Sequence, residues 1–372
     1  MGSFCANIRQ SDRAVCPATR QRNILAAAAF GVSGFISQLG GDAPAVFGLA
    51  GVPENALGQP DVALDLGAYC AMMELAAAET RHDNFGLWFG QQFQPHALGL
   101  IGDIALVSPT LGAAVENLAS LFPFHQQATE TRLTAHGDLL SLEYRILDGH
   151  ILRRRQDAEL TMGMFANVFR ACLGAGWVPE EVHFEHPRPL MGEEHQKAFA
   201  APVHFAQRTN AVVFHARDLG RRMPGGDLAR LTELRARLIA LTGGTGVTPF
   251  LDRVRAEIRS RLPEGAPHVE AVAAGLGVAR WTLQRRLADE GFSFSALVDQ
   301  VRRDLALHYV RQPHIPFSDL AFFLGYSELS AFTRAFGRWF GVSPTRLRQA
   351  SQGGEAGGSL GRPASPDPSF PV

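Results

Sequence analysis

Apolar residues recur at helical spacing in LDLGAYCAMMELAAAETR (64–81), where Leu64, Ala68, Met72 and Leu75 share one face, and again in SPTLGAAVENLASLF (108–122). In the second stretch Ser108 or Thr110 supplies a capping oxygen. The period then drops to two. DLLSLEYRI (138–146) alternates, as do EVHFEH (181–186), PVHFAQ (202–207) and NAVVFHA (210–216), each bounded by Pro, Asn or Gly; these predict strands. Residues 151–174 and 227–241 read as helices. Residues 23–241 are therefore expected to form an α+β domain, preceded by a flexible segment, 1–22.

ILAAAAFGVSGFISQLGG (24–41), uncharged and preceded by Arg20 and Arg22, has the outline of a secretory leader. Ser33, Ser37 and Gln38 interrupt it, its alanines are weakly hydrophobic, and a membrane span needs about 20 strongly apolar residues. A packed helix is expected there. LTGGTGVTP (241–249) breaks the pattern with Gly and Thr, and 242–249 reads as a linker. From 250 to 350 the spacing is that of short helices only. The segment 351–372, rich in Gly, Ser and Pro, has little to bury and predicts disorder.

Within that all-α region, HVEAVAAGLGVARWTLQRRLADEG (268–291) places Val269, Val272, Ala273 and Leu276 on one helix face and Leu283 and Leu287 on the next. Gly277 allows a tight turn between them and Val278 plugs the corner, which is the helix-turn-helix pattern. The second helix then turns Arg280, Trp281, Gln284 and Arg285 outward. Arg and Gln make bidentate contacts to guanine and adenine edges, and Trp gives apolar contact to a thymine methyl. One such helix is weak evidence, because most Arg-rich amphipathic helices are merely solvated.

A second copy strengthens the reading. IPFSDLAFFLGYSELSAFTRAFGRWFGVSP (315–344) repeats the plan, with Leu320, Ala321 and Leu324 on the first helix, Gly325 at the turn and Tyr326 at the corner. Phe332 and Phe336 point inward, Ser327 is expected as the N-cap, and Leu329, Ser330, Arg334 and Arg338 face out. FSFSALVDQVRRDLALHYVRQ (292–312) carries Phe294, Leu297, Val298, Val301 and Leu305 at helical spacing, a long helix joining both units. About 16 residues give roughly 24 Å of helix. Units held on it can enter neighbouring major-groove segments, about one turn or 34 Å apart.

Charge sharpens this picture. The whole chain carries a net −1, but residues 251–350 hold 14 Arg against 10 acidic residues, a local net of +4. Only Lys197 among the 35 basic residues is a lysine, so Arg positions weigh more than Arg counts. Cys5, Cys16, Cys70 and Cys172 show no CxxC spacing, which points to reduced thiols in a cytoplasmic protein. His183, His186, His195 and His204 lack HExxH or i, i+4 pairing and read as strand or surface histidines, so no metal and no cofactor is expected. GGTGVT is out of register for a phosphate loop, and no catalytic spacing emerges. Trp88, Phe89, Phe93, Phe122, Phe124 and Tyr144 read as ordinary core, with the lining of an effector pocket as the alternative, since pockets are themselves mostly apolar.

Residues 250–350, through LGVARWTLQRRL and LGYSELSAFTRAFGRWFGVSP, resemble the DNA-binding domain of the AraC/XylS family of bacterial transcription regulators. NFGLWFG, LGLIGDIALVSPTLGAAVENL, VHFEHPRP, PVHFAQRTNAVVF and LGRRMPGGD resemble, more loosely, the arabinose-binding-like sensor domain of its ornithine-utilisation-type members. The resemblance implies an α+β sensor domain followed by an all-α domain of two helix-turn-helix units joined by a long helix. It further implies base reading by Trp281, Gln284 and Arg285, and by Leu329, Ser330 and Arg334, with Thr333 and Arg338 nearer phosphates. One departure is Ala279 where the family has a capping Ser, a loss of about 1 kcal/mol of cap. The expected protein is a non-enzymatic, effector-responsive regulator, an activator by analogy. Its expected partners are double-stranded DNA, a small-molecule effector with pocket residues unassigned, RNA polymerase and a second copy of itself, with no membrane. A metabolic enzyme bearing a DNA-binding module, and a constitutive DNA-binding protein whose N-terminal domain only dimerises, are the alternatives.

Overall fold

A computed structural model describes residues 22–244 and 248–353 of the chain. The first part runs β1 (Asn23–Leu25), a 3-10 turn (Ala26–Ala29), α1 (Val32–Gln38), α2 (Ala43–Ala50), β2 (Ala63–Asp65), α3 (Leu66–Thr80), α4 (Phe85–Gln92), α5 (Leu100–Leu106) and α6 (Leu111–His125). It continues through β3 (Thr129–His136), β4 (Leu139–Ile146), α7 (Arg155–Leu173), β5 (Glu181–His183), α8 (Glu193–Phe199), β6 (Val203–His204), β7 (Asn210–His215) and α9 (Leu228–Thr242). Seven helices follow: α10 (Phe250–Arg261), α11 (Val269–Gly275), α12 (Arg280–Asp289), α13 (Phe294–Tyr309), α14 (Phe317–Phe323), α15 (Leu329–Phe340) and α16 (Pro344–Gly353).

Five strands form one sheet in the order β3-β4-β7-β5-β6, antiparallel except for the β5–β6 pair. β3 carried no clear apolar alternation in TETRLTAH; it is fixed by pairing along its whole length with β4 across a turn at Gly137 (φ +64°). α7 is buried almost all round. It crosses α4 at backbone contact through Gly86, Gly90 and Gly163, where a Cβ on Gly90 would lie 2.8 Å from Leu160 O and one on Gly163 2.7 Å from the Gly90 carbonyl carbon. Only glycine lets two helices approach so closely.

Several local expectations shift. Residues 24–41 form β1, the 3-10 turn and α1 rather than one helix, because Gly31 (φ +81°) breaks the run and Ala26 N–H donates to Val62 O (2.8 Å). Leu64 sits in β2 opposite Ile24; of the rest of the expected face Met72 is buried and Ala68 and Leu75 are half-buried, and the buried side of α3 also takes in Leu66, Tyr69, Cys70, Met73 and Ala76. Thr110, not Ser108, caps α6, accepting from Ala113 N–H at 3.2 Å.

The segment boundaries also move. Arg22, placed in a flexible segment, is held by ion pairs to Asp148 and Asp252, while residues 1–21 lie outside the described residues. α9 takes Thr242 from the expected linker, of which 245–247 are not described, and α16 runs three residues past the expected boundary at 350.

Apolar side chains collect in two cores, one drawn from Ile24 to Leu238 and one from Val254 to Phe336. The join between them is polar and tight. α10 turns Asp252, Glu257 and Arg259, all buried, toward the first part. There Arg22 meets Asp252, Arg145 meets Glu257 (3.0 Å) and Arg259 lies 3.9 Å from Glu185. Leu152 and Ala206 of the first part pack on the second core.

Candidate nucleic-acid interface

Both helix-turn-helix units are built outward from a glycine. After α11, Gly277 (φ +66°) reverses the chain and Val278 N–H donates to Ala273 O at 3.0 Å. After α14, Gly325 (φ +75°) does the same and Tyr326 N–H donates to Ala321 O at 2.9 Å. The accepting residue is a buried alanine in each case, small enough for the next helix to cross against it. Leu283 and Leu287 seat α12, and Phe332, Ala335 and Phe336 seat α15, all in one core with Leu297, Val301 and Leu305 of the joining helix α13. α13 spans 16 residues, the length read from the sequence.

Every residue singled out for DNA contact is exposed. On α12, Trp281 is 63% exposed and the Arg285 guanidinium lies over its ring at 5.3 Å, which braces both on the outer face beside Gln284. Arg280 pairs with Glu270 across the turn at 2.7 Å, an exposed pair that costs little to part. On α15, Leu329 is 44% exposed next to Ser330, Thr333 and Arg334. Ser330 Oγ donates to Glu328 Oε2 (3.0 Å) and Thr333 Oγ1 to Leu329 O (2.9 Å). Arg338 reaches Asp299 of α13 at 3.3 Å, and Trp339 Nε1 donates to the same carboxylate at 2.8 Å.

Ser327 does not cap α15. Glu328 occupies the cap position with an extended backbone and no side-chain bond to the helix amides, its carboxylate being drawn to Ser330. Ala279 likewise caps α12 without a side-chain bond, as its residue type requires. Phe322, 56% exposed on α14, escaped the sequence reading. The signal was available: of the adjacent pair Phe322 and Phe323, helical geometry lets only Phe323 reach the core.

Two residue groups have ligand atoms close enough to hold a metal, Glu159/His186/His195 and Glu181/His183/His204. The first corrects the surface assignment of its histidines: His195 lies on α8 and, like His186, is buried. The Glu159 carboxylate accepts from His195 Nε2 (2.9 Å) and lies 3.5 Å from Arg155. Burial pushes it up, but Arg155 and His195 outweigh that and hold it at about 2. Phe89, Phe93, Phe122 and Tyr144 are core, packed edge to face or stacked with their neighbours. Among the described residues, no helix is long and apolar enough to cross a membrane.

Two paired, outward-facing helices sharing one core define a DNA-binding transcription regulator, and the comparisons with known proteins agree. The arabinose-binding domain of AraC transcription regulators matches residues 40–223 and a helix-turn-helix domain matches 272–350, together more than half of the chain. The chain is 27% identical over 334 residues to the HTH-type transcriptional regulator VirS of Mycobacterium tuberculosis, covering 88% of this chain and 96% of that protein. It is 26% identical over 322 residues to the ornithine utilization regulator of Pseudomonas aeruginosa, covering 85% and 93%. Among solved structures, the transcriptional regulator CdpR of Pseudomonas aeruginosa matches at 20% identity with a TM-score of 0.39, over 85% of this chain and 98% of that one. The chain belongs to the AraC family of transcription regulators, with an arabinose-binding-like N-terminal domain and a helix-turn-helix DNA-binding domain.

Proposed function

We propose that this regulator reads DNA with α12 and α15 in neighbouring major-groove segments, and that a small molecule held by its N-terminal part controls that reading. The single observation that carries the first half is the duplicated unit: two glycine-turned helix pairs in one core, each presenting exposed base-reading side chains. Arg285, Gln284 and Trp281 serve the first groove segment, with Arg280 released from Glu270 on binding. Leu329, Ser330 and Arg334 serve the second, with Thr333 and Arg338 against phosphates and Ser327 at the edge of the contact. The protein acts as an activator in the cytoplasm, as a homodimer, touching RNA polymerase when bound at a promoter.

Selection of bound duplexes from a random library by the full chain tests this. The expected product is a site with two conserved blocks one helical turn apart. On it Gln284→Ala or Arg285→Ala costs about 1–3 kcal/mol and relaxes particular base pairs, whereas Arg338→Ala weakens all duplexes alike and flattens the salt dependence. Equal losses for Gln284→Ala on selected and random duplexes would remove it from base reading.

A further inference from the structure

The two cores meet over a cavity of about 490 Å³ that neither half closes alone. The first part contributes Glu74 of α3, the segment 152–156 leading into α7, and residues 185–187 after β5. The second contributes Arg259 of α10, His308 and Tyr309 at the end of α13, and residues 311–314, which run toward α14.

Its charges do not balance. Glu185 is buried and serves two guanidinium groups, Arg154 at 2.6 Å and Arg259 at 3.9 Å. The Arg259 side chain is only 9% exposed, and its Nη1 is buried without a hydrogen-bond partner. Burial and the neighbouring Arg154 charge both work against its cationic form, so Arg259 is under-compensated where it stands. Arg155 is already taken by Asp83 (2.5 Å). Glu74 accepts from Gln156 N–H at 3.1 Å, and burial pushes its carboxyl up toward the neutral form. Arg153 and Arg311 stand exposed in the lining, without a carboxylate partner among the described residues. Burial drives His186 to about 4 and His308 to about 3, so both are neutral near pH 7 and add hydrogen-bonding groups without charge. The start of α7, 19 residues long, adds the positive end of a helix dipole. Leu152, Pro187 and Pro313 give the rest of the wall an apolar character.

We propose that this cavity is the effector site and that it takes a small organic carboxylate, whose carboxylate group pairs with the guanidinium groups of Arg259 and Arg311 in the lining while its apolar part lies against Leu152 and Pro187. The volume is that of an ordinary small-molecule pocket; a guanidinium fork matches carboxylate and phosphate oxygens alike, and the apolar wall at Leu152, Pro187 and Pro313 favours an acid that carries a hydrocarbon part over inorganic phosphate. This rests on the effector-responsive reading above and deepens it, since a ligand here touches both halves at once. Arg259, His308 and Tyr309 lie on α10 and on the end of α13, the helix that carries both DNA-reading units. Occupancy therefore favours one arrangement of those units relative to the N-terminal part, and DNA affinity shifts by the ligand's differential affinity for the two arrangements.

The experiment is titration of the full chain by calorimetry with hexanoate, glutarate and citrate, with hexanamide, hexylamine and inorganic phosphate as comparisons, followed by DNA binding on the library-selected duplex at saturating ligand. At least one carboxylate is expected to bind while the amide, the amine and phosphate do not. Arg259→Gln and, separately, the exposed Arg311→Ala are expected to weaken it at least about tenfold, the loss of one charge-assisted hydrogen bond. DNA affinity is expected to change at least threefold with the bound acid. Binding of no carboxylate, equal binding of phosphate, or affinities unchanged in both variants overturns the assignment. If Arg259→Gln fails to fold, Arg311→Ala decides. Carboxylate binding that leaves DNA affinity untouched overturns the coupling. A chain that selects no duplex at all defeats the DNA-reading proposal instead, and the carboxylate titration still stands on its own.

Discussion

The two helix-turn-helix units share a plan and differ in how firmly they are fixed. In the second, Arg302 of α13 donates to Leu324 O (2.9 Å) and Gly325 O (3.0 Å) while its guanidinium lies 4.5 Å from the Tyr326 ring centroid. Gly325 packs against the Gly265 carbonyl, and Asp299 of α13 ties down both Trp339 and Arg338. In the first, no side chain of α13 bonds to the turn among the described residues; Arg286 of α12 lies 4.8 Å from the Phe250 ring centroid and Arg280 pairs with Glu270. Gly277 has open space where a Cβ would be, and two leucines seat α12, whereas Phe332, Ala335 and Phe336 seat α15; neither helix has a side-chain cap. The second unit is thus tied to the joining helix by more side-chain bonds than the first.

The glycine pair gives the sharpest break. Gly325→Ala combines a left-handed backbone with a Cβ overlapping Gly265 O, backbone that has no room to yield, and is expected to cost about 3 kcal/mol or more. Gly277→Ala meets only the backbone penalty, about 1–2 kcal/mol. Urea unfolding of the two variants side by side measures the gap, and equal losses would erase the distinction. Arg302→Met removes two charge-assisted bonds and the ring contact at once, with an expected loss of about 2–3 kcal/mol. Its footprint on a selected duplex should shrink at the α15 block and persist at the α12 block. The smallest effect is a gain: Ala279→Ser supplies the absent cap of α12 and is expected to stabilise by about 0.5–1 kcal/mol, with the melting temperature rising accordingly. A melting temperature unmoved by the serine would mean that the first unit's looseness lies elsewhere.

Much of the DNA-reading part was legible because its physics is local. Gly277 and Gly325 mark turns that no other residue adopts cheaply, and Trp281, Gln284 and Arg285 face out because Leu283 and Leu287 must face in. The Ser327 cap failed for an equally local reason: the helix begins at Leu329, so Glu328 and not Ser327 takes the cap position. In the N-terminal part the reading was coarser. β3 has no apolar alternation of its own and becomes a strand only beside β4, and Glu159 of α7, His195 of α8 and His186 in the loop after β5 are brought together from separate parts of the chain.

The sequence by itself determined the two glycine-turned helix pairs, the helix between them and the identity of their outer faces, since each depends on residues within a few turns of one another. Tertiary structure alone decided that α10 docks on the N-terminal part through buried ion pairs, and that Arg154, Arg259 and Glu185 converge on one cavity. Those groups lie up to 105 positions apart between Arg154 and Arg259, and no periodicity reaches that far; only the closing of two separate cores against each other puts their charges within range.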